Sequence, residues 1–241
     1  MKFEGKNAVF ELLNSKMTVE KIVVLDKTQD AKLREIVSMA REKGIRVDWV
    51  NKTALDGLSE TGHHQGVIGL ATEFVYSNLD DVLGKTVNKN KLFIILDGVL
   101  DPHNLGSVLR VADCAGATGV IIPKNRSVSV NETVIRVSAG ASAHVPVIKV
   151  TNLVSTIKQL KEEGLWVYAA DMDGEEIYKT NLKGNVAFVV GGEGSGVSSL
   201  VKKECDGVVR IPMFGAVNSL NASVSAAVVV YEAVRQNLKN D

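Results

Sequence analysis

Cysteine is scarce in this 241-residue chain: Cys114 and Cys205 lie far apart, in neither a metal-ligand spacing nor a C-x-x-C. That leaves no disulfide framework and points to a reducing cytoplasm. Charge of one sign is also lacking. The 28 Lys and Arg against 28 Asp and Glu give a net charge of +0, so no global positive field draws the chain to nucleic acid or membrane, and any such contact is local. No apolar run approaches the roughly 18 residues that a membrane span requires, and Met1 to Glu11 lacks the apolar core of a signal peptide. Of the four histidines, His63 and His64 are adjacent and His103 and His144 isolated, so no metal site is expected. What is present is ordinary globular material: 45% hydrophobic and 23% charged residues, enough to bury a sizeable core. The length fits one large domain or a small one joined to a larger.

From Gly5 to Glu73 the pattern alternates. An amphipathic stretch around Ala8 to Leu13 precedes a strand at Lys21 to Leu25. A helix follows over Ala31 to Lys43, with Leu33, Ile36, Val37 and Ala40 at helical spacing. Strands are expected at Ile45 to Val50 and Val67 to Ala71. Residues 1–73 thus form a small α/β domain, with 11 basic and 11 acidic residues. The polar stretch 74–90 reads as a linker. Then Lys91 to Asp97 is a continuous apolar run, as a parallel strand buried on both faces should be. Further strands are expected at 119–122, 145–148, 166–169, 186–190 and 208–211, mostly separated by helical stretches, and a last helix at Asn221 to Asn237 with no substantial tail after it. Residues 91–241 are therefore an α/β domain with a parallel sheet, and its chemistry belongs in the loops at the carboxyl ends of the strands.

Three such loops carry polar residues. Asp97-Gly98-Val99-Leu100-Asp101-Pro102-His103-Asn104 leads into a helix containing Arg110. Asn104 as a helix N-cap and Asp101-Pro102 as a turn would explain most of it, but Arg110 stands among apolar neighbours and must find a partner or solvent. Gly191-Gly192-Glu193-Gly194-Ser195-Gly196 follows an apolar strand; glycines allow close approach of backbone to a ligand. Its spacing and late position make it a poor dinucleotide fingerprint, and no GK[ST] makes it a P-loop. The third, Ile211 to Ser223, ends at a helix that Ser219 or Asn221 is placed to cap.

In this order and spacing the three loops resemble the SpoU family of RNA ribose 2′-O-methyltransferases, within the knotted SPOUT group. The resemblance spans about Lys91 to Asn237. It implies a parallel sheet whose C-terminal segment threads a deep trefoil knot, an exception to the rule that chains do not knot. It implies that Asn104, Arg110, Glu193, Ser219 and Asn221 are the catalytic residues. Gly191, Gly192, Gly196, Ile211, Met213, Ser219 and Leu220 fall where the family holds S-adenosylmethionine. The N-terminal unit resembles the family's small substrate-binding domain, a ribosomal-protein-like fold, through Gly5-Lys6-Asn7-Ala8-Val9 and His63-His64-Gln65-Gly66-Val67. His63, His64, Gln65 and Arg110 are the expected RNA contacts; otherwise the two histidines only line a turn before a strand.

The resemblance implies a homodimer that methylates structured RNA, with ribosomal RNA favoured over tRNA by the N-terminal domain and by the lack of a C-terminal extension, and a guanosine of 23S rRNA as the expected target. Arginine stays protonated, so Arg110 is expected to fix a phosphate and stabilise a developing oxyanion, not to act as base. Glu193 either shapes the pocket or ties its loop through backbone N–H groups. Two other classes remain: a non-catalytic RNA-binding or ribosome-assembly factor, against which every polar motif position is intact, and a nucleotide-dependent oxidoreductase, against which the glycine loop is misplaced.

Overall fold

Alternation of apolar runs with amphipathic segments builds two sheets. The computed structural model describes residues 1–15, 17–72, 74–85, 90–194 and 196–238, and the chain divides into two compact units, 1–75 with 130–143, and 76–129 with 144–241.

The first unit begins β1 (Lys2–Glu4), α1 (Lys6–Asn14), β2 (Val19–Leu25), α2 (Ala31–Glu42), β3 (Arg46–Val50), α3 (Lys52–Leu58) and β4 (Val67–Ala71). Its sheet order is β1-β4-β2-β3, with β4 antiparallel to both neighbours and β2 parallel to β3. The expected periodicity of α2 is met: Leu33, Ile36, Val37 and Ala40 are buried, and Asp30 caps the helix through Lys32 and Leu33 N–H groups. One carboxylate ties the β1 end to the loop after α3. Glu4 accepts from Ser59 Oγ at 2.6 Å, Glu60 N–H at 2.5 Å and both Thr61 N–H and Oγ1. Burial alone would raise its pKa, but these donors outweigh it and bring it to about 2.

The rest of the chain supplies α4 (Leu79–Lys85), β5 (Leu92–Asp97), α5 (Pro102–Cys114), β6 (Gly119–Pro123), α6 (Glu132–Ser138), α7 (Ala141–His144), β7 (Val147–Val150), α8 (Leu153–Glu162), β8 (Trp166–Glu176), β9 (Val186–Gly191), α9 (Ser199–Glu204), β10 (Gly207–Arg210) and α10 (Ala222–Asn237). The second unit's sheet is wholly parallel, in the order β10-β8-β9-β5-β6-β7. Alternation along the strands feeds two layers. Phe93, Ile95, Val167 and Val189 join one buried cluster with Leu153, Ile157 and Leu160 of α8 and Val201 of α9. The intervening Ile94, Leu96, Phe188 and Val190 are also buried, on the side where α10 packs on α5 and β9.

Three expectations are corrected. The stretch read as a linker holds α4, whose Leu79, Val82 and Leu83 are buried in the second unit's core; a helix of seven residues is too short to declare a period, and its acids Asp80 and Asp81 sit where a helix start favours them. Residues 86–89 of that stretch lie outside the described residues. Strand β8 continues well past Ala169: after its pairing with β9 ends, its polar half pairs with β10 across a register break at Val208/Val209. Residues 130–143, including α6, pack with the first unit, where Glu132 Oε1 accepts from Glu4 N–H at 3.3 Å.

Candidate active site

From β5 the chain moves to β6 and β7 on one side, whereas β9, the other neighbour of β5, passes it towards β10 on the opposite side. A crevice opens outside the carboxyl ends of two strands whose connections diverge, and in parallel sheets that is where ligands bind. Asp97 and Gly191, the last residues of β5 and β9, are paired in register. Asp97 C=O accepts from Gly192 N–H at 2.8 Å, and its Oδ2 accepts from Ser198 N–H at 2.8 Å, clasping both ends of the glycine loop. Close passage explains the glycines. A Cβ on Gly191 would stand 2.0 Å from Gly196 C, and one on Gly192 2.2 Å from Gly98 O. Ser195 lies outside the described residues.

The N-cap of α5 is Asp101, whose side chain accepts from His103 N–H at 2.8 Å, with Pro102 in the first turn. The capping role expected of Asn104 is therefore taken by Asp101. Asn104 is 5% exposed with its amide free to reach sideways: Nδ2 donates to Glu193 Oε1 at 3.0 Å. Asn221 caps α10, its Oδ1 accepting from Ser223 N–H at 2.9 Å and Ser223 Oγ at 2.7 Å. That fixes the direction of its amide, so Nδ2 donates to Asn104 Oδ1 at 2.9 Å and to Glu193 Oε1 at 2.8 Å. Residues 104, 193 and 221, far apart in sequence, thus form a closed triangle. Glu193 serves side-chain amides, not the backbone groups of its own loop, and its Oε2 makes no hydrogen bond among the described residues.

Other expected residues take no part in the triangle's hydrogen bonds. Arg110 lies six residues beyond Asn104 on α5, about 9 Å along the axis; it is exposed and makes no hydrogen bond or ion pair among the described residues. Ser219 is exposed, outside any helix or strand, and Asn221 alone caps α10. Ile211 and Met213 are half-buried, and Leu220 is exposed. Gly191 is half-buried, Gly192 buried and Gly196 exposed.

In the first unit, Gln65 Oε1 accepts from Lys6 N–H at 3.2 Å, which joins the two segments singled out there, and Lys6 Nζ pairs with Asp30 at 2.5 Å. His63 is exposed. His64 is not available to a ligand: it is 9% exposed, its Nδ1 accepts from Gly66 N–H at 3.0 Å, and its Nε2, which then carries the proton, donates to Asp56 Oδ1 at 2.8 Å. It pins the turn before β4. Sequence reasoning missed Asp97; its place as the only acid of an apolar strand, at the carboxyl end, was the available signal. Among the described residues no cluster of His, Cys, Asp or Glu fits a metal ion, and no helix is long and apolar enough to cross a membrane.

A six-stranded parallel sheet with an amide–carboxylate triangle at its switch point defines an α/β protein with a ligand crevice at that point. The chain matches the SpoU rRNA Methylase family over residues 91–231 and the RNA 2′-O ribose methyltransferase substrate-binding family over residues 3–77. It is 42% identical over 236 residues to YacO of Bacillus subtilis (strain 168), described as a TrmH family tRNA/rRNA methyltransferase, covering 96% of this chain and 94% of that one. The fold is shared with the SpoU methyltransferase AviRb of Streptomyces viridochromogenes, solved in complex with AdoMet, at a TM-score of 0.79 and 23% identity over 98% of this chain and 89% of that one. An RNA 2′-O ribose methyltransferase structure aligns at a TM-score of 0.73 and 27% identity over 98% and 88%. The chain belongs to the SpoU/TrmH family of RNA methyltransferases.

Proposed function

We propose that this protein transfers a methyl group from S-adenosylmethionine to a ribose 2′-hydroxyl of structured RNA, with a guanosine of 23S ribosomal RNA as its target. The observation that carries this reading is the Asn104–Glu193–Asn221 triangle in the β5/β9 crevice, which unites all three motifs. When bound, S-adenosylmethionine supplies an electrophilic methyl on a sulfonium, with no call for a metal. The residues present fit it. Ile211, Met213 and Leu220 keep apolar surface open for an adenine ring, and the backbone of Gly191, Gly192 and Gly196 and the exposed Ser219 of the third loop offer polar groups to its remainder.

The chain's own work is to align the 2′-oxygen and stabilise charge on it. Arg110, with its guanidinium uncommitted, holds the flanking phosphate and the developing oxyanion. Asn104, Glu193, Ser219 and Asn221 orient ribose and phosphate. With S-adenosylmethionine bound, the 2′-oxygen would take the methyl as the methyl–sulfur bond breaks, and the hydroxyl proton would pass to solvent water, since Arg110 stays protonated. Residues 1–73 select the RNA, with His63 and the free Gln65 amide as contacts; the match of residues 3–77 to a substrate-binding family supports this. A dedicated substrate unit ahead of the catalytic one also favours ribosomal RNA. The trefoil knot belongs to the same reading, supported by the insertion of β9 between β5 and β8 and by the close passage of Gly192 against Gly98 of another loop. So does a homodimer through the second unit, since Phe214, Val217, Val224 and Tyr231 are large apolar side chains exposed on the third loop and α10. Two uncrosslinked cysteines suit the cytoplasm.

Titration with S-adenosylmethionine and with NAD, while methyl transfer to total cellular RNA is followed, tests this. Binding of the first with transfer is expected. Binding of NAD alone, or of S-adenosylmethionine without transfer to any RNA, would contradict it.

A further inference from the structure

The second unit holds a cleft that the triangle does not use. It has a volume of about 580 Å³ and runs over the carboxyl ends of β5, β6 and β7 to the start of α9, within the range of roughly 300–1,000 Å³ usual for small-ligand sites. Six of its lining side chains decide its chemistry: Asp97, Leu100, Asn125, Arg126, Asn152 and Leu200. Leu100 and Leu200 are 67% and 73% exposed, an unusual pair of bare aliphatic side chains in one cleft. The polar groups are largely uncommitted. Arg126 and Asn125 are exposed with no hydrogen bond or ion pair among the described residues. Asn152 spends Oδ1 on capping α8 through Ser155 N–H, which leaves its Nδ2. Asp97 spends Oδ2 on Ser198, which leaves Oδ1.

Apolar faces, amide and carboxylate groups for hydrogen bonds, and a free guanidinium are what an unstacked nucleotide requires: a surface for the base, partners for its edge, and a cation for its phosphate. The cleft also continues into the loop read above as the cofactor's, because Gly196 lines it and Gly192 packs on Gly98, another of its lining residues. Proteins that choose one nucleotide of folded RNA hold its base unstacked against side-chain faces and read its edges. We propose that this cleft seats the target nucleotide, its base against Leu100 and Leu200, its edge read by Asp97, Asn125 and Asn152, and its phosphate held by Arg126. This rests on the methyltransferase reading and adds to it the residues that choose the nucleotide.

The test uses the full-length protein with labelled leucine methyl groups, saturated with S-adenosylhomocysteine. Each nucleoside 5′-monophosphate is added to millimolar concentration, with ribose 5-phosphate as control. Ring-current shifts of the Leu100 and Leu200 methyl resonances are expected with at least one nucleotide and not with the control, and Arg126→Gln should weaken that nucleotide about tenfold while leaving the matching nucleoside unchanged. In methyl transfer to total RNA from cells lacking the gene, Arg126→Gln and Leu200→Ser should each raise KM about tenfold at unchanged cofactor affinity. Absence of shifts, shifts that appear only when S-adenosylhomocysteine is left out, or variants with wild-type KM would overturn the proposal. Nucleotide shifts in a wild-type protein that methylates no RNA would uphold the cleft and refute the methyltransferase reading instead.

Discussion

Asn221 serves fold and site with a single amide. Its oxygen caps α10, and its nitrogen, pointed away by that choice, binds Asn104 and Glu193. A sequence motif of polar residues is therefore also a set of local structural devices, which is why Asn221 was legible both as a cap, the role its hydrogen bonds to Ser223 show, and as a site residue, the role proposed for it. Arg110 differs, having no side-chain hydrogen bond or ion pair among the described residues to keep it. Arg110→Lys should leave folding and cofactor affinity nearly unchanged and slow single-turnover methyl transfer by roughly 10²–10³, because an ammonium keeps the charge and loses the planar fork. A variant within threefold of wild type would remove Arg110 from the catalytic residues. Glu4 makes a prediction about stability. Its pKa is held near 2, below its unfolded value, so its contribution is present above the unfolded value and fades as pH falls from there through the folded one. Glu4→Gln should cost about 1–3 kcal/mol at neutral pH. Urea unfolding at a series of pH values should show wild type and variant converging in acid; a constant gap would mean the carboxylate's charge is irrelevant.

The elements most legible in sequence were those whose burial is complete. Strands β5 and β9 are continuous apolar runs because both faces of the sheet are covered, and α2 shows a clean stripe because only one of its faces is. Short or mixed elements escaped. α4 and α6 have seven residues each, under two turns, and the polar half of β8 pairs only with the edge strand β10. The cleft residues Asn125 and Arg126 follow β6 without any pattern that marks them; only the fold gathers them with Leu100 and Leu200. These corrections matter for dissecting the chain. A fragment starting near Asn90 would lose the core residues Leu79, Val82 and Leu83, so the second unit should be cut at Tyr76. The 76–241 fragment should bind S-adenosylmethionine as the full chain does and lose most transfer to structured RNA, with fast amide exchange over 130–143, whose packing partners are gone. Full activity in that fragment would contradict the role given to the first unit.

Taken whole, the chain is charge-balanced yet is proposed to grip RNA, so its RNA affinity should come from local groups such as Arg110, Arg126 and His63 and not from a general field. Its exposed apolar side chains on the third loop and α10 should pair with a second copy; sedimentation at micromolar concentration should show a dimer, and a monomer alone would refute the pairing. The most direct trial of the proposed reaction follows the methyl group to its destination. Purified protein is given methyl-labelled S-adenosylmethionine and total RNA from cells lacking the gene, and the RNA is then digested to nucleosides and the site mapped. Label should appear in one 2′-O-methylated nucleoside, from one position of large-subunit ribosomal RNA. Label on a base, or none on any RNA while the cofactor binds, would contradict the reaction.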